Sequence, residues 1–405
     1  MTGVARPAKG RTGVAGPSGA DASGRVTARA DASAGRDAAG TEPAGPAVAG
    51  GVVAGPAVTR AKAAVPGPGT SGGKTSAKGT RDRGLQETRV LVHPMDRPTQ
   101  LPPGHTNAVG LTLGLIGDEW NLLILRYALL GVRRYGEWRQ ELPISHAVLT
   151  RRLAFLTEMG VFERVEYQSR AKRFEYRLTK RGRDLWPMLL SVWAWESRWV
   201  PEHQESLPRM VHRRCGREFL PILTCAACAR SVRPRDVVGG FGPSGTWERS
   251  VPAATTRRRS GSTADGGAGM FPETMALVGN RWSAAILGAA FQGLHRFRDF
   301  EQRLGAPPTI IADRLRVFCE LGVFEQVPSA ERPDWLSYHL TEKGRAFFPV
   351  TMTGIDWGQR WFRAAEGPAL VYTHRACGRD FQIQLTCDAC TAPLRGHEIV
   401  VQRPA

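Results

Sequence analysis

Apolar positions in this 405-residue chain form two blocks with the same internal rhythm. In the first, GDEWNLLILRYALLG sets Trp120, Leu123, Ile124 and Leu130 at helical spacing and stops at Gly131. RRYGEWRQEL follows as a short amphipathic helix with Tyr135, Trp138 and Leu142 inward. The PISH turn puts Ser145 where it caps the next helix. In HAVLTRRLAFLTEMG, Leu149, Leu153 and Leu156 share one face, which leaves Thr150 and Arg151 outward. Two short helices about a tight turn predict helix-turn-helix geometry. VFERVEYQSRAKRFEYRLT alternates apolar and polar residues around a basic tip, predicting a hairpin with strands near 161–167 and 174–178. A hairpin in that place is a wing. LTKRGRDLWPMLLSVWAWESRWV then starts a long helix, and Trp193, Trp195 and Trp199 are too many for one small domain to bury, so a helix–helix partner face is expected.

Sliding the chain by 162 residues superimposes the second block on the first. Gly117 meets Gly279, Trp120 meets Trp282, and Gly160-Val161-Phe162-Glu163 meets Gly322-Val323-Phe324-Glu325. The same offset carries Leu178-Thr179 onto Leu340-Thr341 and Trp195 onto Trp357. It also carries His212, Cys215, Cys225 and Cys228 onto His374, Cys377, Cys387 and Cys390. The unit is duplicated.

The resulting expectation is a mainly α fold with small β-wings: two tandem winged helix-turn-helix domains, each followed by a small zinc-ribbon-like module. Residues 1–104 read as a disordered, basic Ala/Gly/Pro-rich tail whose composition cannot offset its ordering entropy. The first winged helix spans 105–205 and its Cys/His module 206–240; 241–267 is a flexible linker. The second winged helix spans 268–367 and its module 368–405. Met95 offers an alternative translation start.

Charge changes the picture by pointing to an anionic partner. The chain carries a formal +18. Fourteen Lys/Arg against seven Asp/Glu give residues 1–98 a share of +7, which leaves +11 on the rest. No apolar run reaches the roughly 20 residues that span a bilayer, and the N-terminus has no apolar signal region. A cytoplasmic, nucleoid-associated protein with no membrane partner is expected, and seven cysteines then read as thiols or metal ligands rather than disulfides.

Several short motifs, in order and twice over, carry a family resemblance. In the first repeat they are Trp120-Asn121-Leu122-Leu123-Ile124-Leu125-Arg126, Arg134-Tyr135, Ser145-His146, Leu149-Thr150-Arg151-Arg152-Leu153 and Leu178-Thr179-Lys180-Arg181-Gly182-Arg183. In the second they are Gly279-Asn280-Arg281-Trp282, Ile311-Ala312-Asp313-Arg314-Leu315 and Leu340-Thr341-Glu342-Lys343-Gly344-Arg345. Over about 110–200 and 272–362 the chain resembles the HxlR family of bacterial winged helix-turn-helix regulators. The resemblance implies a dimer with paired recognition helices that represses or activates nearby genes in response to metabolites or oxidants. Family members usually carry one such domain, so the duplication opens two assemblies: an intramolecular pseudo-dimer or a homodimer.

Double-stranded DNA is the expected partner, and the candidate contacts are Ser145, His146, Thr150, Arg151 and Arg152, with Arg170, Lys172 and Arg173 on the wing. Thr309 and Arg314 are the second repeat's candidates. That repeat is the weaker reader: Asp313 stands where the first has Arg151, and its wing tip reads Glu331-Arg332-Pro333-Asp334. Asp313 could instead turn sideways onto Arg314 or Arg316.

Within each repeat the spacing H-x2-C-x9-C-x2-C suggests one structural Zn²⁺: His212, Cys215, Cys225 and Cys228 in the first, His374, Cys377, Cys387 and Cys390 in the second. Gly216 and Gly378 would give the tight turn of a knuckle. A Cys225–Cys228 redox pair without metal is the alternative, and Cys319 is expected to be a core thiol. No nucleotide loop, nucleophile elbow or open metal site argues for an enzyme. A sequence-specific transcription regulator reading DNA mainly through the first repeat is the leading function. The alternative is a dimerisation or sensor scaffold whose Cys/His modules bind a ligand, protein or oxidant.

Overall fold

A computed structural model describes residues 96–168, 173–204, 206–252, 271–328, 332 and 335–402. The tail up to residue 95, Arg170, Lys172, Glu331, Pro333, Asp334 and the linker core 253–270 lie outside the described residues.

Strand β1 (Thr99–Leu101) precedes α1 (Ala108–Ile116), α2 (Glu119–Leu129), α3 (Tyr135–Glu141) and α4 (His146–Glu158). A hairpin of β2 (Phe162–Gln168) and β3 (Arg173–Leu178) leads to α5 (Lys180–Arg183) and α6 (Trp186–Trp199). The helix expected to run from Leu178 onward is thus two. The chain turns at Asp184-Leu185, and Pro187, lacking an N–H, sits in the first turn of α6 where none is needed. Gly182 is held tight against the wing base, for a Cβ there would lie 2.2 Å from the Val161 carbonyl oxygen.

The first Cys/His segment contributes β4 (Arg209–His212), β5 (Arg217–Glu218), β6 (Pro221–Cys225) and β7 (Val237–Phe241), then α7 (Trp247–Ser250). The second repeat runs α8 (Pro272–Val278), α9 (Arg281–Phe291), α10 (Phe297–Leu304), α11 (Pro308–Glu320), β8 (Phe324–Pro328), β9 (Leu336–Leu340), α12 (Glu342–Ala346) and α13 (Phe348–Trp361). It closes with β10 (Phe362–Ala364), β11 (Leu370–His374), β12 (Ile383–Cys387) and β13 (Ile399–Gln402). Two boundaries differ from expectation. β1 lies in the stretch assigned to the tail and pairs in parallel with β10 at the end of the second winged helix. α7 lies in the stretch assigned to the linker and packs on α1.

The two repeats share one core. Leu115, Ile124, Leu156 and Val192 of the first and Ile286, Leu315, Val350 and Trp357 of the second belong to a single buried cluster. The tryptophans that one domain could not cover explain how. α6 packs on α13; Trp195 Nε1 donates to the Lys343 carbonyl at 3.0 Å, and Trp357 Nε1 donates to the Arg181 carbonyl at 2.9 Å. These two bonds are equivalent under the 162-residue offset, so they mark a pseudo-twofold axis. Truncating either indole to alanine would cost about 3–5 kcal/mol.

The Cys/His segments obey the same axis, and here the expectation of two separate modules fails. β6 pairs antiparallel with β12, with Leu223 opposite its own equivalent, Leu385. β7 pairs with β11, and β13 pairs with β4, so each repeat lends its last strand to the other. Their shared core contains Phe219, Leu223, Phe381 and Leu385, closed by Leu190 of α6 and Phe348 and Met352 of α13. Neither segment has a core of its own. Among the described residues no single helix is long and apolar enough to cross a membrane.

Candidate nucleic-acid interface and metal centres

In the first repeat, α4 sits as the sequence predicts, with Leu149, Leu153 and Leu156 buried. The Ser145 side chain caps it, accepting from the Val148 N–H. His146, Thr150 and Arg151 are exposed on the outer face, and so is Arg173 at the described edge of the wing. Arg152 is not with them. Its guanidinium is largely buried and pairs with Asp118 at 2.6 Å, and Asp118 also caps α2. That side chain ties α4 to α2 and faces away from the reading surface.

A residue absent from the sequence-based set joins this face. The Tyr135 hydroxyl on α3 lies 3.1 Å from His146 Nδ1 and 3.2 Å from Thr150 Oγ1, and the two rings stack with centroids 5.8 Å apart. Tyr135 therefore fixes two outward side chains of α4 from the preceding helix. The signal lay in the repeat comparison, because the equivalent residue is Phe297, which has no hydroxyl.

In the second repeat, Ile311, Leu315 and Phe318 bury the same face of α11. Its outer face differs at each of these positions: Pro308 for His146, Ala312 for Thr150 and Asp313 for Arg151. Asp313 turns sideways, pairing with Arg314 and, at 2.8 Å, with Arg316. Those guanidinium bonds hold its carboxyl below the ordinary range. Arg314, a candidate contact, is thereby engaged within its own helix, while Thr309 is exposed. The second wing carries exposed apolar side chains on its flanks, Val327, Trp335 and Leu336.

The eight Cys/His residues converge in two groups, but not those expected. One consists of His212 and Cys215 with Cys387 and Cys390; the other of Cys225 and Cys228 with His374 and Cys377. Each group takes two donors from each repeat. The exchange follows from the strand pairing, since β13 runs beside β4, which carries His212, and β12 beside β6. Within each group the donor atoms lie within 4.8 Å of one another. Cys390 Sγ is 3.3 Å from His212 Nδ1, and Cys215 Sγ is 3.6 Å from His212 Nδ1 and 4.0 Å from Cys387 Sγ. In the second group Cys228 and Cys377 Sγ lie 3.3 and 3.4 Å from His374 Nδ1. All the cysteines are free thiols.

Backbone turns shape the knuckles. Gly216 and Gly378 adopt positive φ, as expected, and each donates its N–H back to the preceding histidine carbonyl at 2.8 Å. The Cys-x2-Cys turns end on Ala229 and Thr391, also at positive φ. That costs a non-glycine residue about 1–2 kcal/mol. In the first group the backbone N–H of Ala392 leads in drawing the Cys390 thiol down to about 7, while burial pushes Cys387 up to about 11. Cys319 stands partly buried against the main core, and burial raises its thiol.

Comparison with known proteins meets this geometry twice. Residues 115–204 and 277–366 each match the HxlR-like helix-turn-helix family. A Mycobacterium tuberculosis protein, Rv3095, described as an uncharacterized HTH-type transcriptional regulator, is 39% identical over 136 residues, which is 34% of this chain and 86% of the relative. A Synechocystis protein of the same description, sll1512, is 34% identical over 100 residues, 24% of this chain and 74% of the relative. A solved Pseudomonas aeruginosa structure, PA1374, named provisionally as a transcription factor, is 32% identical and covers 35% of this chain and 97% of that one, with a TM-score of 0.28.

Proposed function

The chain belongs to the HxlR-like helix-turn-helix family of transcriptional regulators, which are not enzymes, and from that premise we propose that it reads duplex DNA mainly through its first repeat. The observation that carries this reading is the contrast between the two recognition helices. α4 presents His146, Thr150 and Arg151, braced by Tyr135, whereas α11 presents Ala312 and a carboxylate clamped between two arginines. A guanidinium in the major groove reads a guanine edge, and a carboxylate facing phosphate weakens attraction. Ser145 and Arg173 flank the same surface, and Arg170 and Lys172 complete the wing by sequence. Thr309 is the second repeat's remaining outward candidate. Arg152 and Arg314 act instead within the protein. A nucleoid-associated cytoplasmic location follows from this reading.

Each Cys/His group suits a structural Zn²⁺, two per chain. Four donors on a tetrahedron of about 2.3 Å radius stand about 3.8 Å apart, close to the spacings found here. His212 supports the fit from behind. Its Nε2 is buried without a hydrogen bond, 3.7 Å from Glu398 Oε2, which is also unpartnered. A metal on Nδ1 would put the ring proton on Nε2, toward that carboxylate. The ion would supply cross-linking between repeats and no chemistry, because all four positions are filled by protein.

The chain is then an intramolecular pseudo-dimer with two unequal heads, monomeric in solution. The test is fluorescence anisotropy of the full chain on its own upstream DNA across a salt series. Arg151→Ala should weaken specific binding by about 1–3 kcal/mol. Equal affinity of that variant, or salt-independent binding, would remove the first repeat from the role of reader.

A further inference from the structure

A cavity of about 410 Å³ lies between the repeats, lined by no residue of α4 or α11 and by none of the eight Cys/His donors. Val109 and Ile116 of α1, Val278 at the end of α8, Phe291 of α9, and Phe348 and Met352 of α13 form its apolar walls. Its size falls within the roughly 300–1,000 Å³ of small-molecule sites. Aromatic rings meet at two places along it: Phe291 against Phe348, and Phe241 against Trp247, each pair 5.1 Å between centroids.

Its polar complement is one-signed. Arg235 and Arg375, both exposed, line it at the β7–β11 ladder, and no Asp or Glu lines it among the described residues. Arg375 Nε donates to the Arg235 backbone carbonyl at 3.1 Å, which ties the Arg375 side chain to the turn just before β7, while Arg235 Nε stands 4.0 Å from Asp236 Oδ1. One polar group on its wall lacks a partner: the Trp247 indole N–H is buried without a hydrogen bond, and Tyr372 lines the same cavity.

The repeat comparison shows what is special here. An equivalent cleft of about 880 Å³ occurs on the other side of the pseudo-axis. There Arg126, Met210 and His397 stand where this cavity has Gly288, Tyr372 and Arg235. Gly288 lies inside α9, where glycine costs about 1 kcal/mol relative to alanine, and a Cβ there would meet nothing within 4 Å. The helix forgoes a side chain at a point that opens onto the cavity.

We propose that this cavity binds a small planar aromatic anion, its ring system between the apolar walls and its acidic group toward Arg235 and Arg375. Such a ligand touches α1, β7 and α7 of the first repeat and α9, α13 and β11 of the second, so it bridges the two.

The probe is 8-anilinonaphthalene-1-sulfonate, with neutral N-phenyl-1-naphthylamine as control, titrated against the zinc-loaded full chain by fluorescence and calorimetry. The sulfonate should bind saturably, and Gly288→Phe, which fills the cavity, should weaken it by at least about tenfold with circular dichroism unchanged. Should Gly288→Phe disturb folding, the pair Arg235→Gln/Arg375→Gln decides. It should weaken the sulfonate about three- to tenfold while sparing the neutral amine. Sulfonate binding unchanged in a folded Gly288→Phe, or in the arginine pair, overturns the proposal; equal loss of both probes in the arginine pair overturns the anion assignment.

Discussion

The two helix-turn-helix units share a backbone and part company on their outer faces. Inward, Leu149, Leu153 and Leu156 match Ile311, Leu315 and Phe318, all buried. Outward, a hydrogen-bonded Tyr135–His146–Thr150 cluster and an exposed Arg151 correspond to Phe297, Pro308, Ala312 and an internally paired Asp313. Even the buried ion pair is rearranged. Asp118 holds Arg152, but the equivalent Asn280 carries no charge, and Arg314 turns to Asp313 instead. Packing constrains the core of a duplicated unit, whereas its surface drifts freely or is selected for binding. The difference between the heads is therefore chemical rather than architectural.

The most drastic way to test the symmetry is to cut it at the metals. Cys215→Ser/Cys387→Ser removes two donors from one group of four and leaves the other intact. Purified protein should keep close to one zinc, and the remaining site should still tie the repeats together. Cys215→Ser/Cys225→Ser touches both groups and should lose both ions, with a large drop in thermal stability because metal-binding energy is folding energy at such a site. Metal analysis showing the reverse pattern would restore the within-repeat arrangement. Disulfide-linked, metal-free protein from reducing cytoplasm would instead favour a redox pair.

A second break exploits a close approach on one side of the pseudo-axis. At Gly358 of α13 a Cβ would lie 2.0 Å from Thr112 Oγ1 and 2.9 Å from the Ala108 carbonyl oxygen of α1. The first repeat has Glu196 at the equivalent place, bonded to Thr274, the equivalent of Thr112. Gly358→Ala should cost about 1–3 kcal/mol in denaturant unfolding. No loss would mean that α1 can move away without penalty.

The reading faces can be exchanged in charge. Asp313→Ala should free Arg314, leave Arg316 with Glu320 as its one remaining ion-pair partner among the described residues, and raise non-specific DNA affinity several-fold at low salt, while Arg151→Ala lowers specific affinity. If Asp313→Ala leaves binding at every salt concentration unchanged, the second head does not approach DNA.

The smallest effect concerns Glu196, a carboxylate buried where its counterpart has no side chain. Burial raises its pKa, opposed by hydrogen bonds from Thr274 and His203. A carboxyl raised above its ordinary 4.5 favours the folded state fully only below that pH, and the contribution fades as pH climbs through the folded value. Glu196→Gln should thus match the parent near pH 4 and exceed it in thermal stability toward neutral pH, by about 1 kcal/mol. Parallel stability curves for the two proteins would show that the His203 partner fully compensates the buried charge.

Local chemistry made much of this legible from residue order. The apolar spacing of α4, the Ser145 cap, the wing alternation and the glycine turns at Gly216 and Gly378 are near-neighbour effects, and a chain carries those explicitly. The duplication was plain, and with it the eight candidate donors, because a constant offset is a property of the string. Which four donors meet was decided only in three dimensions. β6 and β12 are alike enough to pair across a symmetry axis, and equal spacing within each repeat looks the same whether strands stay home or cross over. Arg152 turned inward for a similar reason: its partner Asp118 lies 34 positions earlier in the sequence, beyond the reach of helical periodicity. Sequence order specified the elements and the chemistry they carry. Burial of the tryptophan-rich helices against each other, a long-range gain no single segment encodes, decided how the two halves share one core.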